Sequence, residues 1–261
     1  VNVSFGFLNF HLYGFILGIA ILTGYFVVLK RAKKYDVSEK AVDLLFLFVV
    51  LGGLIGARVY HVLDKWGYYS KNPIQIIEVW NGGLAIYGAI IGGIFFLWIF
   101  TKIKSPLQGK QKSKVILSYL DLIVLGLAVS QAIGRLGNFF NQEAFGMPTS
   151  LPWGVFIKEN NRPDNWKQYE YFHPTFFYES IWMFFGFFLL LWVEKRIKNK
   201  GEGIIFSIYL IWYGLGRFFL EFLRFDTARI GIFNIAQVFS FIFVMLGVFI
   251  IKSKLKGQNL R

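Results

Sequence analysis

VILSYLDLIVLGLAVSQAI, Val115 to Ile133, runs directly into GRLGNFFNQE, Gly134 to Glu143, and the join between the two decides the fold. The first part is apolar over enough residues for a helix to cross the roughly 30 Å hydrocarbon core of a bilayer. The second packs an arginine, three amides and a carboxylate onto its end. An ionisable group deep in a bilayer costs about 2.5–3.5 kcal/mol on insertion scales, which makes Arg135 and Glu143 functional candidates by default. A solvated helix end is the plainer alternative for the same residues.

Working outward, six more apolar runs appear at Phe10–Leu29, Leu44–Leu63, Leu84–Phe100, Phe176–Val193, Ile204–Leu223 and Ile232–Ile251. Such lengths exceed those of ordinary soluble strands, and 56% of the 261 residues are hydrophobic and 20% aromatic. The expected fold is an all-α integral membrane protein with seven transmembrane helices, a single polytopic domain over residues 1–261. The first run carries its basic cluster after it and shows no small-residue cleavage pattern. It is therefore expected to remain as an anchor.

The net charge of +13 is distributed as a membrane protein requires rather than as a nucleic-acid interface does. Eighteen of the 28 Lys and Arg fall between Lys30 and Lys40, Lys102 and Lys114, Lys195 and Lys200, and Lys252 and Arg261. Seven crossings put all of them on one side, which the positive-inside rule makes cytoplasmic. The N-terminus is then outside and the C-terminus inside. These short loops do not interleave cations with base-reading residues on one face, so no nucleic-acid partner is expected. Residues 144–172, with Pro148, Pro152, Pro163, Trp153 and Trp166, form the longest non-apolar stretch and are expected to make an outward-facing excursion.

In that orientation the polar residues of the runs collect at the outer ends: Tyr13, Arg58, His61, Tyr87, Arg135, Asn138, Glu143, His173, Tyr178 and Glu179. Arg217, Glu221 and Arg224 belong with them, and their i, i+4, i+7 spacing predicts one helical face. An intrahelical ion pair accounts for the pairing but not for three costly groups in a bilayer, which points to a polar cavity. Arginine suits a phosphate because its planar fork donates two parallel hydrogen bonds and keeps its charge. The nearest phosphate is a lipid head group. Asp121 lies at the other end of its run and is expected to partner a neighbouring helix. Gly14 with Gly18, Gly52 with Gly56, and Gly88 with Gly92 have the small-xxx-small spacing of close helix packing. Trp66, Tyr68, Tyr69 and Trp80 suit an interfacial aromatic belt.

The chain holds no cysteine, and no phosphate-loop, HExxH or GxSxG pattern. No metal or other cofactor is expected, and any nucleophile is expected to come from a substrate.

Taken together, Gly134 to Gly146, Gly216 to Arg224, Gly82-Gly83 leading to Gly88, Gly56-Ala57-Arg58, and His173-Pro174 with Tyr178-Glu179 resemble the bacterial prolipoprotein diacylglyceryl transferases over nearly the whole chain. The resemblance implies a multi-pass enzyme of the bacterial cytoplasmic membrane with its site toward the outer leaflet. Its partners would be phosphatidylglycerol, prolipoprotein signal peptides and membrane lipids. It would move the diacylglyceryl group of phosphatidylglycerol onto a lipobox cysteine thiol, forming a thioether and releasing glycerol phosphate. By the same resemblance Arg135, Asn138, Glu143, Arg217, Glu221 and Tyr87 are catalytic, and Arg135, Arg217, Arg58, Tyr13 and Gly146 bind the lipid. Many members carry histidine where this chain has Tyr87, and a phenol, with an ordinary pKa of about 10, is a poor base at neutral pH.

In such a reaction the thiolate attacks the glyceryl carbon, and negative charge builds on the departing phosphate, where Arg135 and Arg217 stabilise it. Glu143 and Glu221 each have two open roles, accepting the thiol proton or orienting the arginines. A transporter of an anionic solute is the alternative class, although such a site more naturally lies at the bilayer midplane between repeats.

Overall fold

The computed structural model describes residues 2–5, 8–79, 82–104, 110–197, 200–225, 229–230 and 233–258. Trp80, Ile232 and Arg261, named above, lie outside the described residues, as does Lys198, one of the basic residues between Lys195 and Lys200. Among the described residues seven helices are long and apolar enough to cross a membrane, one for each expected run. They are α1 (Leu12–Arg31), α2 (Glu39–Asp64), α3 (Ile86–Lys104), α4 (Lys110–Asn141), α5 (Thr175–Arg196), α6 (Ile204–Leu220) and α7 (Ile235–Gln258). The expected all-α class holds, with sheet confined to three short antiparallel pairs among the described residues. None of the three is expected from the sequence, and in one of them Asn2–Phe5 pairs with Leu8–His11, so that α1 begins at Leu12 rather than Phe10.

The chain divides into two compact units, residues 1–31 with 117–261, and residues 32–116. In the second, α2 and α3 meet through glycine, as their spacing predicts. A methyl group at Gly56 would come within 2.8 Å of the Gly92 Cα and also collide with the Gly88 carbonyl. With no side chains between them, the two backbones approach closely enough for dispersion to hold helices that lipid would otherwise solvate equally well. Among the described residues nothing lies within 4 Å of a methyl group added at Gly14 or Gly18. The contact of α1 is made one turn and more later, where Gly24 meets the Gly126 carbonyl of α4, 3.0 Å from an added methyl. Spacing alone does not say which side of a helix has a neighbour.

In the first unit α5 and α6 are joined by a reciprocal tryptophan pair. The rings of Trp182 and Trp212 stack at 4.2 Å and 16°, and each indole N–H donates to the other's backbone carbonyl at 2.9 Å. Gly216 and Gly186 leave room for the two rings. Asp121 partners a neighbouring helix as expected. Its two carboxylate oxygens accept from the backbone N–H groups of Gly203 (2.9 Å) and Phe206 (2.8 Å), satisfying donors at the start of α6 that have no intrahelical acceptor. Gly203 itself is left-handed, φ 86°, a conformation glycine adopts without steric cost.

Residues 144–172 form an ordered excursion. Val155–Phe156 pairs with Tyr171–Phe172, and Phe145, Ile157, Phe172 and Phe176 make a small buried core against Trp166 and Phe225. Of the expected aromatic belt, Trp66 and Tyr68 are exposed, but Tyr69 is buried. The Arg58 guanidinium lies 5.2 Å from its ring centroid, which explains the difference.

Candidate active site

Glu179 sits near the start of α5, 7% exposed, and its two oxygens serve two different helices. Oε2 lies 2.6 Å from Arg135 Nε of α4, and Oε1 accepts from Arg217 Nη1 of α6 at 2.9 Å. Arg224 Nη1 is 4.0 Å from Oε1. The second nitrogen of Arg217, Nη2, is 2.9 Å from Glu221 Oε2. Glu221 is fully buried and has no hydrogen-bond alignment with a described donor, so this contact is ionic. Two arginines and two carboxylates thus compensate one another where an isolated charge would cost several kcal/mol.

The expected single face of Arg217, Glu221 and Arg224 is only partly formed. Helix α6 ends at Leu220, Glu221–Leu223 tighten into a 3-10 turn, and Arg224 is extended at φ −97°, ψ 154°. Arg224 approaches the cluster from the following chain rather than from the helix face.

The arginine fork is unequally used. Arg217 spends both terminal nitrogens on carboxylates, whereas Arg135 is held through Nε alone. Its Nη1 and Nη2 have no described partner, and a third of its side chain is exposed. A guanidinium held at its neck with a free two-pronged end can take an oxyanion in bidentate fashion.

Glu143 is held differently. Its Oε1 accepts from Asn138 Nδ2 at 2.8 Å and from Asn141 Nδ2 at 3.5 Å, and its N–H donates to the Asn138 carbonyl. Among the described residues no arginine pairs with it. Gln142 and Ala144, on either side, have φ 52° and 56°, left-handed values uncommon for residues with side chains. The turn aims Glu143 back at α4 while Gln142 Oε1 accepts from Lys158 N–H and Asn161 Nδ2, both at 3.0 Å, tying the excursion down. Tyr13 of α1 lies within electrostatic reach of Glu143 and Arg135, and its ring fills the space over Gly137.

Gly146 is a packing position. Its N–H donates to the His173 carbonyl at 2.8 Å, and an added methyl would lie 2.5 Å from the Leu223 carbonyl. Arg58 is also committed elsewhere. In the second unit it donates to the carbonyls of Ile76 (2.8 Å), Gly82 (2.7 Å), Gly83 (3.0 Å), Glu78 (3.3 Å) and Gln75. All five guanidinium N–H groups meet backbone oxygens, so Arg58 fixes a loop and has no donor left for phosphate. Tyr87, also in the second unit, is exposed with its ring 6.3 Å from that of Tyr60.

Between α4 and α5 is an apolar cleft of about 670 Å³ lined by Leu136, Phe139, Trp153, Phe176, Phe177 and Tyr178. Trp153 Nε1 donates to Tyr178 Oη at 2.8 Å across its rim. Charged cluster and apolar cleft on the same two helices are the two environments an amphiphile needs.

A family model described as prolipoprotein diacylglyceryl transferase matches residues 1–252. The chain belongs to that family. Similar proteins named phosphatidylglycerol–prolipoprotein diacylglyceryl transferase include one from Thermosynechococcus vestitus, 37% identical over 94% of this chain and 89% of its own. Another, from Trichormus variabilis, is 40% identical over 95% and 86%, and one from Thermotoga maritima is 40% identical over 90% and 78%. The resemblance drawn from the residue patterns therefore holds at the level of the diacylglyceryl transferase family.

Within this transferase chain, the residue that sequence reading underplayed is Glu179. A carboxylate five residues into an apolar helix was itself a signal. Its two arginine partners are 44 and 38 residues away in sequence, on other helices, and no local spacing announces them.

Proposed function

We propose that this chain transfers the diacylglyceryl group of phosphatidylglycerol to the lipobox cysteine thiol of prolipoproteins, the first step of lipoprotein maturation, as one polytopic enzyme of the bacterial cytoplasmic membrane with its site toward the outer leaflet. The observation that carries this reading, within the family established above, is the free fork of Arg135 in the cluster with Arg217, on helices that also line the apolar cleft. The fork takes the lipid phosphate and the cleft takes apolar substance. The thiolate sulfur attacks the diacylglyceryl carbon bonded to the phosphate oxygen. The C–S bond forms, the C–O bond breaks, and its electron pair leaves on glycerol phosphate. Arg135 and Arg217 meet that growing charge with guanidinium groups already held in place, Arg217 largely buried and Arg135 a third exposed.

Of the two carboxylates left open by the sequence, Glu143 is assigned the thiol proton. Glu221 is engaged with Arg217, whereas Glu143 is held only by amides, beside Tyr13 and on the same helix end as Arg135. The test is purified protein in lipid with labelled phosphatidylglycerol and a lipobox peptide. Label is expected in a thioether to the peptide cysteine, and a peptide that remains unlabelled under varied conditions overturns the assignment.

The proposed orientation has its own measurement. A reporter fused after Arg261 is expected to be active only in the cytoplasm, and one inserted near Asn161 only outside. The opposite pattern would reject the outer-leaflet site.

Tyr87 is assigned an orienting hydroxyl rather than the obligatory base. Losing one hydrogen bond costs about 0.5–1.5 kcal/mol, roughly tenfold in rate at most, whereas losing a general base costs about 100- to 10,000-fold. Tyr87→Phe is therefore expected to keep measurable activity, and Tyr87→His to be tolerated because imidazole also donates. Abolished turnover in folded, lipid-binding Tyr87→Phe would make the tyrosine the proton carrier.

A further inference from the structure

We propose that Glu179 is a positioning residue for the transfer, holding Arg135 and Arg217 as one rigid unit for the charge that develops on the departing phosphate. The inference rests on the function proposed above and adds a residue that touches neither lipid nor thiol.

A carboxylate is planar, with its two oxygens at a fixed separation. When one oxygen contacts Arg135 Nε at 2.6 Å and the other takes a hydrogen bond from Arg217 Nη1 at 2.9 Å, guanidinium groups from α4 and α6 are set relative to each other by a third helix, α5. The manner of the grip matters as much as its strength. Arg135 is caught by its neck, which stops its long side chain from sweeping and leaves both terminal nitrogens free. Arg217 is caught at both ends of its fork, by Glu179 and Glu221. One arginine is thereby presented and the other braced. Without Glu179 the two cations would repel, and Arg135 would have no described partner to fix it.

Glu179 also works against the substrate. Its negative charge sits beside the place where an anionic phosphodiester would dock, so Coulomb's law alone makes it unfavourable to lipid binding. Positioning and charge therefore pull the kinetic constants apart. Removing the charge relieves repulsion in the ground state, while releasing the arginines removes preorganisation that matters most in the transition state. A residue serving only to hold the helices together would produce no such split.

The experiment compares wild type, Glu179→Gln and Glu179→Asp in the phosphatidylglycerol and lipobox-peptide assay, with thermal unfolding measured alongside. Glu179→Gln is expected to lower kcat about 10- to 100-fold, while KM for phosphatidylglycerol stays level or falls. Glu179→Asp keeps the charge and is expected to recover part of kcat, with KM close to that of wild type. In an Arg217→Lys background the Glu179→Gln change is expected to cost less than in wild type, because the two act through one contact. Near-normal kcat in folded Glu179→Gln, or a fall in kcat matched by an equal rise in KM, overturns the proposal. If Glu179→Gln does not fold, the decision passes to Glu179→Asp, where wild-type kcat, or KM and kcat changing together, is the overturning result. A wild-type protein that makes no thioether instead defeats the proposed function, which separates the two failures.

Discussion

Arg135→Lys is expected to lower kcat/KM for phosphatidylglycerol by roughly 10- to 150-fold, the equivalent of one charge-assisted hydrogen bond of about 1.5–3 kcal/mol. Lysine keeps the charge, but an ammonium is a single point. It can sit at Glu179 or at a phosphate, whereas the native side chain contacts Glu179 through Nε and still offers two terminal nitrogens. Arg217→Lys is expected to lose at least as much for a different reason. Arg217 bridges Glu179 and Glu221, and one ammonium cannot hold both: at Glu179 it leaves buried Glu221 without its cation, and at Glu221 it leaves Glu179 to Arg135 and the more distant Arg224. Arg217→Lys should therefore lower the unfolding temperature as well as turnover, while Arg135→Lys, partly exposed, should leave the unfolding temperature nearly unchanged. Arg196→Lys, at the exposed end of α5 where the guanidinium stacks on Trp192, is the control and should change turnover little. Near-wild-type transfer by folded Arg135→Lys and Arg217→Lys would remove both residues from the mechanism.

What could be read in the sequence followed from how far each interaction reaches. The seven helices were legible because an apolar run is a local property and a bilayer imposes its length. Asp121 was legible as a helix partner because a lone carboxylate among apolar residues must find donors. That its donors would be the Gly203 and Phe206 N–H groups, more than 80 positions away, was not. Arg58 shows the converse error. Its neighbourhood suggested lipid contact, yet loop carbonyls 17 to 25 residues downstream occupy its donors. Glycine spacing identified the α2–α3 contact and misplaced the α1–α4 one, because Gly14, Gly18 and Gly24 differ only in what happens to lie opposite them. Arg224 was assigned to a helical face that ends four residues before it. The chemistry-bearing residue types were visible along the chain, whereas the contacts that turn three arginines and two carboxylates into one cluster depend on tertiary packing.

Asp121→Ala is expected to destabilise the protein by about 2–4 kcal/mol, because two buried backbone donors lose their acceptor and each unsatisfied group costs about 1–3 kcal/mol. Both oxygens are in use, toward Gly203 and Phe206, so alanine removes the whole cap and water has poor access to replace it. Asp121→Asn keeps one acceptor and turns an amide donor toward the other N–H, so its loss should be intermediate. The position also separates stability from catalysis. Gly203 and Arg217 are 14 residues apart along α6, about 21 Å at 1.5 Å per residue, so the cap does not touch the charged cluster. The unfolding temperature in lipid or detergent should fall in the order wild type, Asn, Ala, while kcat and KM per folded molecule, measured well below that temperature, stay near wild type. An Asp121→Ala protein that unfolds with wild type would show that the cap is dispensable. One that stays folded but cannot transfer would show that the start of α6 governs its far end, where Arg217 stands between its two carboxylates.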